Sequence, residues 1–257
     1  YGHYVGEGNK TFDHVRVFHF STDKDVNVSF TKTSANVALT SDNSNYSLAG
    51  AVYGVYTDSG CTNKVGEIAT GASGTGSATV TVEPTQSTLY FKELTAPKGF
   101  EINAAVISAS ISGESCSASA SDKSANDPLA IKLFKISNDP VEDPASLENA
   151  EFTIKYYDVD PGSYTTAASV ASLSPKRTWV IKTIKDAIGN YMTMLDDNHK
   201  VSGDDFYYSE GGIPTLPVGV ITVQETKAPE GYLLEGATLG NESISADENG
   251  FVYFAIE

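Results

Sequence analysis

Apolar and polar residues alternate through most of this chain, and the alternation predicts β-strands. In VNVSFTK (26–32), for example, the apolar positions are Val26, Val28 and Phe30. A period of two places the apolar side chains on one face of a strand. Turn sequences such as DSG, SGTG and APKG separate the strand patterns at short intervals. The pattern predicts an all-β fold, in which SYTTAASVASL (163–173) is the one stretch that could hold a short helix.

The strand patterns occur in two copies with the same order. Each copy begins with a strand that ends in lysine, VNVSFTK at 26–32 and LAIKLFK at 129–135. Each copy later contains a strand that ends in glutamate and continues into an Ala-Pro-x-Gly-aromatic turn. These stretches are LYFKELTAPKGF at 89–100 and GVITVQETKAPEGY at 219–232. Repetition of one strand order predicts two antiparallel, Ig-like β-sandwich domains in tandem.

The boundary between the copies lies near SANDPLA (124–130), where polar residues and a proline interrupt the strand patterns. We predict a first domain at 23–127 and a second at 128–257. The second copy is longer than the first, and we assign the extra residues to an insertion at about 158–218. Residues 1–22 precede the first copy as an N-terminal extension, in which HVRVFHF alternates like a further strand.

The net charge of the chain limits the kinds of molecule that it is expected to bind. The formal net charge is −16 and the sequence pI is near 4.5. Nucleic acids and anionic membrane surfaces both require a positive patch, so neither is expected as a partner. No apolar run approaches the roughly 20 residues that a membrane-spanning helix needs. The chain also begins without the charged and then apolar pattern of a signal peptide, so we expect a fragment or processed piece.

Two lysines and two glutamates occupy matching positions in the two copies. Lys32 and Lys135 end the first strands, and Glu93 and Glu225 end the later ones. Exposed charges at strand ends would be the simplest interpretation, and such charges contribute little to stability. The recurrence of both residue types within apolar alternation favours buried pairs instead, because an unpaired buried charge is costly.

The patterns K…LAGA…KELTAPKGF and K…LENAEF…QETKAPEGY resemble the collagen-adhesin B-type (CnaB, SpaA-like) domains of Gram-positive surface adhesins and pilins. The resemblance extends over nearly the whole chain from about Val26. It implies a compact Ig-like sandwich in which a first-strand lysine forms an isopeptide bond with an Asn or Asp on the last strand. By this resemblance Lys32 and Lys135 are the amine donors, and Glu93 and Glu225 are the residues that assist the reaction.

General chemistry is consistent with what the resemblance implies. Burial lowers the pKa of a lysine toward the neutral, nucleophilic amine. Burial also raises the pKa of a glutamic acid, which can then bind the target carbonyl and move protons. Folding brings the reacting groups together and replaces the binding step of an enzyme. We therefore expect one self-modification per molecule, with no cofactor and no enzymatic turnover.

The acceptor has to be found on the last strand of each copy. In the first copy Asp122 ends SCSASASD, and we predict a bond from Lys32 to Asp122, with Asn126 and Asp127 as alternatives. In the second copy FVYFAIE (251–257) contains neither Asn nor Asp. Either the second acceptor lies beyond Glu257 or the second domain has lost its bond.

Three other residues near the second site fit the pattern less well. Asp247 and Asn249 lie in the DENG turn that precedes FVYFAIE. Lys132 lies three residues before Lys135, which is the position that matches the lysine of the first copy.

The two cysteines, Cys61 and Cys116, leave two interpretations open: one disulfide or two small thiols. Neither lies in a CxxC pair or near histidines, so no metal site is predicted from them. The acidic loops lack the full ligand spacing of a calcium-binding loop.

The insertion suggests a second functional hypothesis. KVSGDDFYYSEGG (200–212) is rich in aromatic residues and glycine and is the best candidate for a variable binding loop, although a structural hairpin is the favoured interpretation of this stretch. Such a loop would recognise a host glycan or a matrix protein. Trp179 would then be either a core residue of the insertion, which we favour, or an aromatic on the binding face. A glycosidase, which needs two carboxylates facing one cleft, is disfavoured because each box supplies one glutamate beside a lysine.

Together, the patterns and the resemblance predict a structural stalk or adhesin module of a Gram-positive cell-surface or pilus protein. We expect an extracellular location, with the cell-wall anchor and signal outside this chain. The expected partners are neighbouring domains of the same surface protein and, under the second hypothesis, a host glycan or matrix protein.

Overall fold

The computed structural model describes residues 22–127, 131–137 and 145–234, together with the backbone of 252–256. The strand expected in HVRVFHF and the disfavoured acceptors Asp247 and Asn249 lie outside these residues. Within the described residues, neither helix has the length and apolar character required to cross a membrane.

The first half of the chain forms two sheets from seven strands and includes one helical turn. The elements are β1 (Lys24–Ser34), α1 (Val37–Thr40), β2 (Val52–Tyr56), β3 (Lys64–Ala69), β4 (Thr75–Val82), β5 (Thr88–Thr95), β6 (Val106–Ser110) and β7 (Ser115–Asp122). One sheet has the order β4-β1-β7 and the other has the order β3-β2-β5-β6. Every pair is antiparallel except β1 with β7, which run parallel.

The core of this half lies between the two sheets. On β1 every second side chain points inward, and Val26, Val28 and Phe30 are buried as the alternation predicts. Phe30 stacks on Tyr53 of β2, with the ring centroids 3.8 Å apart. The next inward position on β1 is Lys32, so the core face of this strand ends in a buried amine.

The second half contains eleven strands within the described residues and one helical turn. The elements are β8 (Asn126–Asp127), β9 (Lys132–Lys135), β10 (Glu151–Tyr157), α2 (Ala167–Val170), β11 (Arg177–Lys182), β12 (Ile184–Lys185), β13 (Tyr191–Met194), β14 (Lys200–Gly203), β15 (Tyr207–Tyr208), β16 (Pro214–Pro217), β17 (Gly219–Lys227) and β18 (Val252–Ile256). The sheets have the orders β14-β11-β10-β17-β18, β12-β13-β9 and β15-β16-β8. The predicted all-β fold is confirmed, and α2 lies inside the stretch 163–173.

The second half repeats the strand pairing of the first. In this repeat β9, β10, β11, β13 and β17 take the places of β1, β2, β3, β4 and β5. The extra residues therefore lie in two places, one between β10 and β11 and the other between β13 and β17. This differs from the single insertion at about 158–218, because β11 and β13 inside that range belong to the two main sheets. Trp179 and Ile181 on β11 are fully buried, which explains why this strand joins the core.

The last strand, β18, occupies the place of β6. It pairs antiparallel with the glutamate strand β17, just as β6 pairs with β5. The sequence predicts that FVYFAIE is the counterpart of the acceptor strand β7, and the pairing with β17 shows that this prediction is wrong. Among the described residues no strand lies beside β9 in the place that β7 takes beside β1.

The two halves are joined by hydrogen bonds from the loop that follows α1. The Tyr46 hydroxyl donates to Ala125 O at 2.6 Å and accepts from Val218 N at 2.8 Å. Asn45 Nδ2 donates to Val159 O at 2.9 Å and to Val218 O at 3.0 Å. Since Tyr46 and Asn45 are buried, the segment before β17 is held against the first half.

Candidate functional site

Three residues from three strands meet at the end of the first core. Lys32 comes from β1, Glu93 from β5 and Asp122 from β7, so the site links both sheets of the first sandwich. Their side chains are completely buried. The structure therefore brings together the amine, the assisting glutamate and the preferred acceptor that the sequence analysis named.

The amine of Lys32 contacts both carboxyl groups. Lys32 Nζ donates to Glu93 Oε1 at 2.6 Å and also to Asp122 Oδ2. A buried charge is tolerated only when it is paired and hydrogen-bonded, and this arrangement satisfies that condition. It also places an amine and two carboxyl groups in direct contact.

Aromatic side chains enclose the amine. Lys32 Nζ lies 5.7 Å from the centroid of the Tyr53 ring and 5.8 Å from that of Phe100, and 3.5 Å from the Tyr53 hydroxyl. Burial lowers the pKa of Lys32, and the hydrogen bond and charge of Glu93 partly oppose that change. Burial, followed by the charge of Glu93, raises the pKa of Tyr53, which stays protonated. The enclosure therefore shifts the balance away from the ammonium ion and toward the neutral amine.

Asn103 completes the site and was missed from the sequence. Its backbone N–H donates to Glu93 Oε2 at 2.6 Å, and its side-chain Nδ2 donates to Asp122 Oδ1 at 3.1 Å. Asn103 lies in the irregular stretch between β5 and β6, where neither alternation nor a repeated motif marks a residue. No sequence signal of the kind used above would have found it.

The parallel register of β1 and β7 explains why Asp122 reaches the amine. Lys32 lies opposite Ala120, and Asp122 lies opposite Ser34, two residues further along β1. Small inward residues on β7 leave room for the long lysine side chain. The alternative acceptor Asn126 instead lies on β8, where its Nδ2 donates to Thr215 Oγ1 at 2.7 Å. Only backbone pairing is described for the other alternative, Asp127, which lies opposite Leu216.

The Ala-Pro-x-Gly-aromatic box forms the same turn in both copies. Phe100 N donates to Pro97 O at 3.2 Å, and Tyr232 N donates to Pro229 O at 3.1 Å. The glycine before each aromatic residue has a positive φ, 80° at Gly99 and 85° at Gly231. In the first copy this turn carries the Phe100 ring back over the lysine.

The second copy brings together its own lysine and glutamate. Lys135 Nζ lies 2.7 Å from Glu225 Oε2, and the side chains are 16% and 4% exposed. Glu225 Oε1 is buried without a hydrogen-bond partner. Lys132, the disfavoured lysine, points elsewhere and places its Nζ 5.2 Å from the centroid of the exposed Phe134 ring. Lys135 therefore occupies the position that corresponds to Lys32.

The cysteines are two free thiols. Cys61 lies in the turn between β2 and β3, whereas Cys116 faces the core from β7 and its Sγ lies 3.6 Å from Ala109 O. The disulfide that the sequence left open is not present in this structure. Within the described part of the chain, no three His, Cys, Asp or Glu side chains group as metal ligands would.

Two of the three aromatic residues of 200–212 pack inward. Phe206 and Tyr207 are buried in the same core as Trp179, and the Arg177 guanidinium lies 3.5 Å from the centroid of the Tyr207 ring. Tyr208 is the more exposed of the three, and its carbonyl oxygen accepts from Asn36 Nδ2 at 2.8 Å. These contacts give the segment a structural role. Trp179 is a core residue, which is the interpretation that we favoured from the sequence.

The fold of the first half matches a known family. Residues 33–126 match the SpaA family of prealbumin-like fold domains. This segment, the first domain, is therefore similar to SpaA domains. The match supports, over these residues, the resemblance to SpaA-like domains that the sequence predicted. Lys32 lies immediately before the matched range, which includes Glu93 and Asp122.

Several solved structures are similar to the chain. The Bacillus anthracis TIE protein is 18% identical, with a TM-score of 0.46, over 92% of this chain and 31% of that one. A streptococcal ancillary pilin is 11% identical, with a TM-score of 0.30, over 91% and 59%. A C-terminal fragment of the pilus adhesin SpaC from Lactobacillus rhamnosus GG is 14% identical, with a TM-score of 0.37, over 90% and 82%.

The chain thus spans less than two thirds of the first two of these proteins. No curated protein sequence is significantly similar to it.

Proposed function

We propose that this chain is a structural module of an extracellular surface or pilus protein, stabilised by an isopeptide bond between Lys32 and Asp122. The observation that carries the proposal is the fully buried contact of Lys32 Nζ with Glu93 and Asp122. Three charged side chains buried on three strands cost free energy unless they are paired or react. The match of residues 33–126 to the SpaA family supports the more general part of the proposal, a role as a pilus component or adhesin.

The contacts suggest a balanced reaction. The neutral Lys32 amine attacks Cγ of protonated Asp122, and the new Nζ–Cγ bond pushes an electron pair onto Oδ1. Asn103 Nδ2 donates to that oxygen and stabilises its developing charge. Glu93 accepts a proton from Nζ and delivers a proton to Oδ2, which leaves as water when the Cγ–Oδ2 bond breaks. The products are a secondary amide and one water, with Glu93 returned to its starting state.

The reaction consumes its own lysine and carboxyl group, so each molecule reacts once. Folding places the three groups in contact, which supplies the proximity that an enzyme obtains by binding a substrate. We therefore assign no turnover and no cofactor to this site.

The position of the bond suggests its mechanical purpose. It would join β1 to β7, the first and last strands of the first domain, which lie side by side and parallel. Tension applied at the two ends of the domain would otherwise shear the hydrogen bonds between these strands. A covalent bond between them carries that load directly, and it constrains the unfolded chain as a disulfide does.

Intact-mass spectrometry tests the proposal. The expected mass of the chain is lower than that of the unmodified sequence by one water, about 18 Da. Peptide sequencing should locate the bond between Lys32 and Asp122. Asp122→Asn should lose ammonia, about 17 Da, because an amide replaces the hydroxyl as leaving group. An unmodified mass for the folded chain would refute the proposal.

Neighbouring domains of the same surface protein are the partners that this role requires. Binding of a host glycan or matrix protein through 200–212 gains no support, because Phe206 and Tyr207 of that segment face the core.

A further inference from the structure

The hydroxyl of Tyr53 is a third polar group beside the amine of Lys32. Lys32 Nζ donates to this hydroxyl at 3.5 Å, which is a long hydrogen bond of the kind that often shortens only as a reaction proceeds. The same nitrogen contacts Glu93 Oε1 at 2.6 Å and also Asp122 Oδ2. Three polar partners therefore surround Nζ, and Asp122 is the one that reacts in the proposed bond formation.

The surroundings of Tyr53 hold its hydroxyl in place. The side chain is completely buried, and its ring stacks on Phe30 with an angle of 25° between the two planes. Burial raises the pKa of Tyr53, and the charge of Glu93 and a hydrogen bond to that carboxyl raise it further. The O–H of Tyr53 therefore donates toward Glu93, while its oxygen can accept from Lys32.

The protonation state of the amine decides how the three partners share the nitrogen. An ammonium group has three N–H donors, one for each neighbour, and no lone pair with which to attack. The neutral amine has two N–H donors and one lone pair. Protonated Asp122 is a weaker acceptor than a carboxylate and carries a donor of its own. The two N–H groups are therefore best satisfied by Glu93 and Tyr53, and the lone pair is left to face Asp122.

The second half of the chain has phenylalanine at the position equivalent to Tyr53. Tyr53 lies opposite Glu93, directly after a register shift in the pairing of β2 with β5. Phe152 lies opposite Glu225, directly after the same shift in the pairing of β10 with β17. Both side chains are buried in the core of their own half. A core of this kind therefore accepts a ring without a hydroxyl, so the hydroxyl of Tyr53 is not required for packing.

We propose that the Tyr53 hydroxyl orients the neutral amine of Lys32, so that the lone pair of Nζ points at Cγ of Asp122. The inference rests on the isopeptide bond proposed for this site and adds a residue to that reaction. The Nζ–Cγ bond forms, the Cγ–Oδ2 bond breaks and water leaves, while Tyr53 keeps its own proton throughout. Alignment of the reacting groups lowers the barrier, so the hydroxyl affects the rate of bond formation and leaves the product unchanged.

Tyr53→Phe tests the inference, because it removes the hydroxyl and keeps the ring. Wild type and variant are recovered unfolded from inclusion bodies, so that both start unlinked, and are refolded by dilution. Intact mass at successive times gives the fraction of each chain that has lost one water. The time courses are repeated from mildly acidic to mildly alkaline pH. Tyr56→Phe is the matched control, because Tyr56 lies on the same strand opposite Tyr90.

We expect Tyr53→Phe to form the bond roughly 3- to 10-fold more slowly than wild type, as for the loss of one hydrogen bond between neutral groups. Tyr56→Phe should react at the wild-type rate. The ratio of the wild-type rate to the Tyr53→Phe rate should be the same at every pH, because orientation acts on the amine after it has become neutral. Circular dichroism of the same samples should show that all three chains fold at the same rate.

Three results would overturn the inference and leave the proposed bond intact. They are equal rates of bond formation in wild type and Tyr53→Phe, slower folding that accounts for the slower bond, and a rate ratio that approaches one as the pH rises. The last result would mean that the hydroxyl acts on the ionisation of the amine. A wild-type chain that loses no water would overturn the proposed function and this inference with it, so the wild-type spectrum distinguishes the two failures.

Discussion

The side-chain amide of Asn103 donates a hydrogen bond to Asp122 Oδ1 at 3.1 Å. The backbone N–H of the same residue donates to Glu93 Oε2, so one asparagine holds Asp122 and Glu93 in a fixed relation. The irregular stretch after the Ala-Pro-x-Gly-aromatic box therefore contributes to the site, although it belongs to no strand.

We predict that Asn103→Ala slows formation of the Lys32–Asp122 bond by roughly 10- to 100-fold, since a hydrogen bond to a charged group contributes about 1.5–3 kcal/mol. The measurement is the fraction of unlinked chain, by intact mass, as a function of time after the chain folds. Asn126→Ala is the matched control, because Asn126 binds Thr215 outside the site. Equal rates for both variants would remove Asn103 from the reaction.

We predict that Glu93→Gln leaves the first domain folded but unlinked. The bond would close a loop of 90 residues, and its loss lowers the free energy of unfolding by about 4–5 kcal/mol in the chain-entropy treatment. Thermal denaturation and the rate of trypsin digestion both report this loss. Glu67→Gln is a suitable control, because Glu67 pairs with Lys64 on the exposed surface. A Glu93→Gln chain that still loses one water would contradict the assigned role.

Ionisation of the Tyr46 hydroxyl makes the free energy of unfolding vary with pH in the alkaline range. Burial raises the pKa of Tyr46 from 10.0 to about 12, although the hydrogen bond from the Val218 N–H opposes that shift. The folded state therefore keeps a proton that the unfolded state has lost between those values. The stability contributed by Tyr46 is fully present below pH 10 and is lost as the pH rises toward 12.

We predict that wild type loses about 2–3 kcal/mol more than Tyr46→Phe between pH 10 and 12. The measurement is the free energy of unfolding of both chains across that range. All other tyrosines are present in both chains, so the difference isolates Tyr46. If the free energy of unfolding changed equally with pH in both chains, the Tyr46 hydroxyl would not be the group responsible for the pH dependence.

Gly99 is required for two separate reasons, a φ of 80° and a close approach to the loop after α1. A Cβ at this position would lie 2.5 Å from Asn45 O and 2.6 Å from Tyr46 Cδ1. Gly113 has a φ of 60° and would place its Cβ in open space, so it isolates the backbone cost.

We predict that Gly113→Ala destabilises the chain by about 1–2 kcal/mol and that Gly99→Ala destabilises it by roughly 1–3 kcal/mol more. Chemical denaturation of the two variants gives the comparison. If both variants lost the same free energy of unfolding, the loop after α1 would be able to move away from a Cβ at position 99 without an energetic cost.

The sequence predicted much of the site because the repeat supplied an internal comparison. Lys32 with Lys135 and Glu93 with Glu225 recur at matching strand ends, and alternation gives the face on which each side chain lies. The choice of Asp122 over Asn126 rested on position at a strand end, and the structure brings Asp122 to Lys32 while Asn126 pairs in another sheet.

Two other features could not be predicted from the sequence pattern. Asn103 acts from an irregular stretch, so no periodicity identifies it. The place of FVYFAIE was also misjudged, because alternation is the same for a strand that pairs with β17 and for one that pairs with β9.

The sequence alone determined the β-strands, the repeat and the inward face of each strand, because these follow from local alternation and turn chemistry. Only the tertiary structure decided which strands are neighbours. Pairing depends on contacts between residues far apart in the chain, such as the parallel register of β1 with β7. That register makes the first site complete, and the absence of a described strand in the same place beside β9 leaves the second site open.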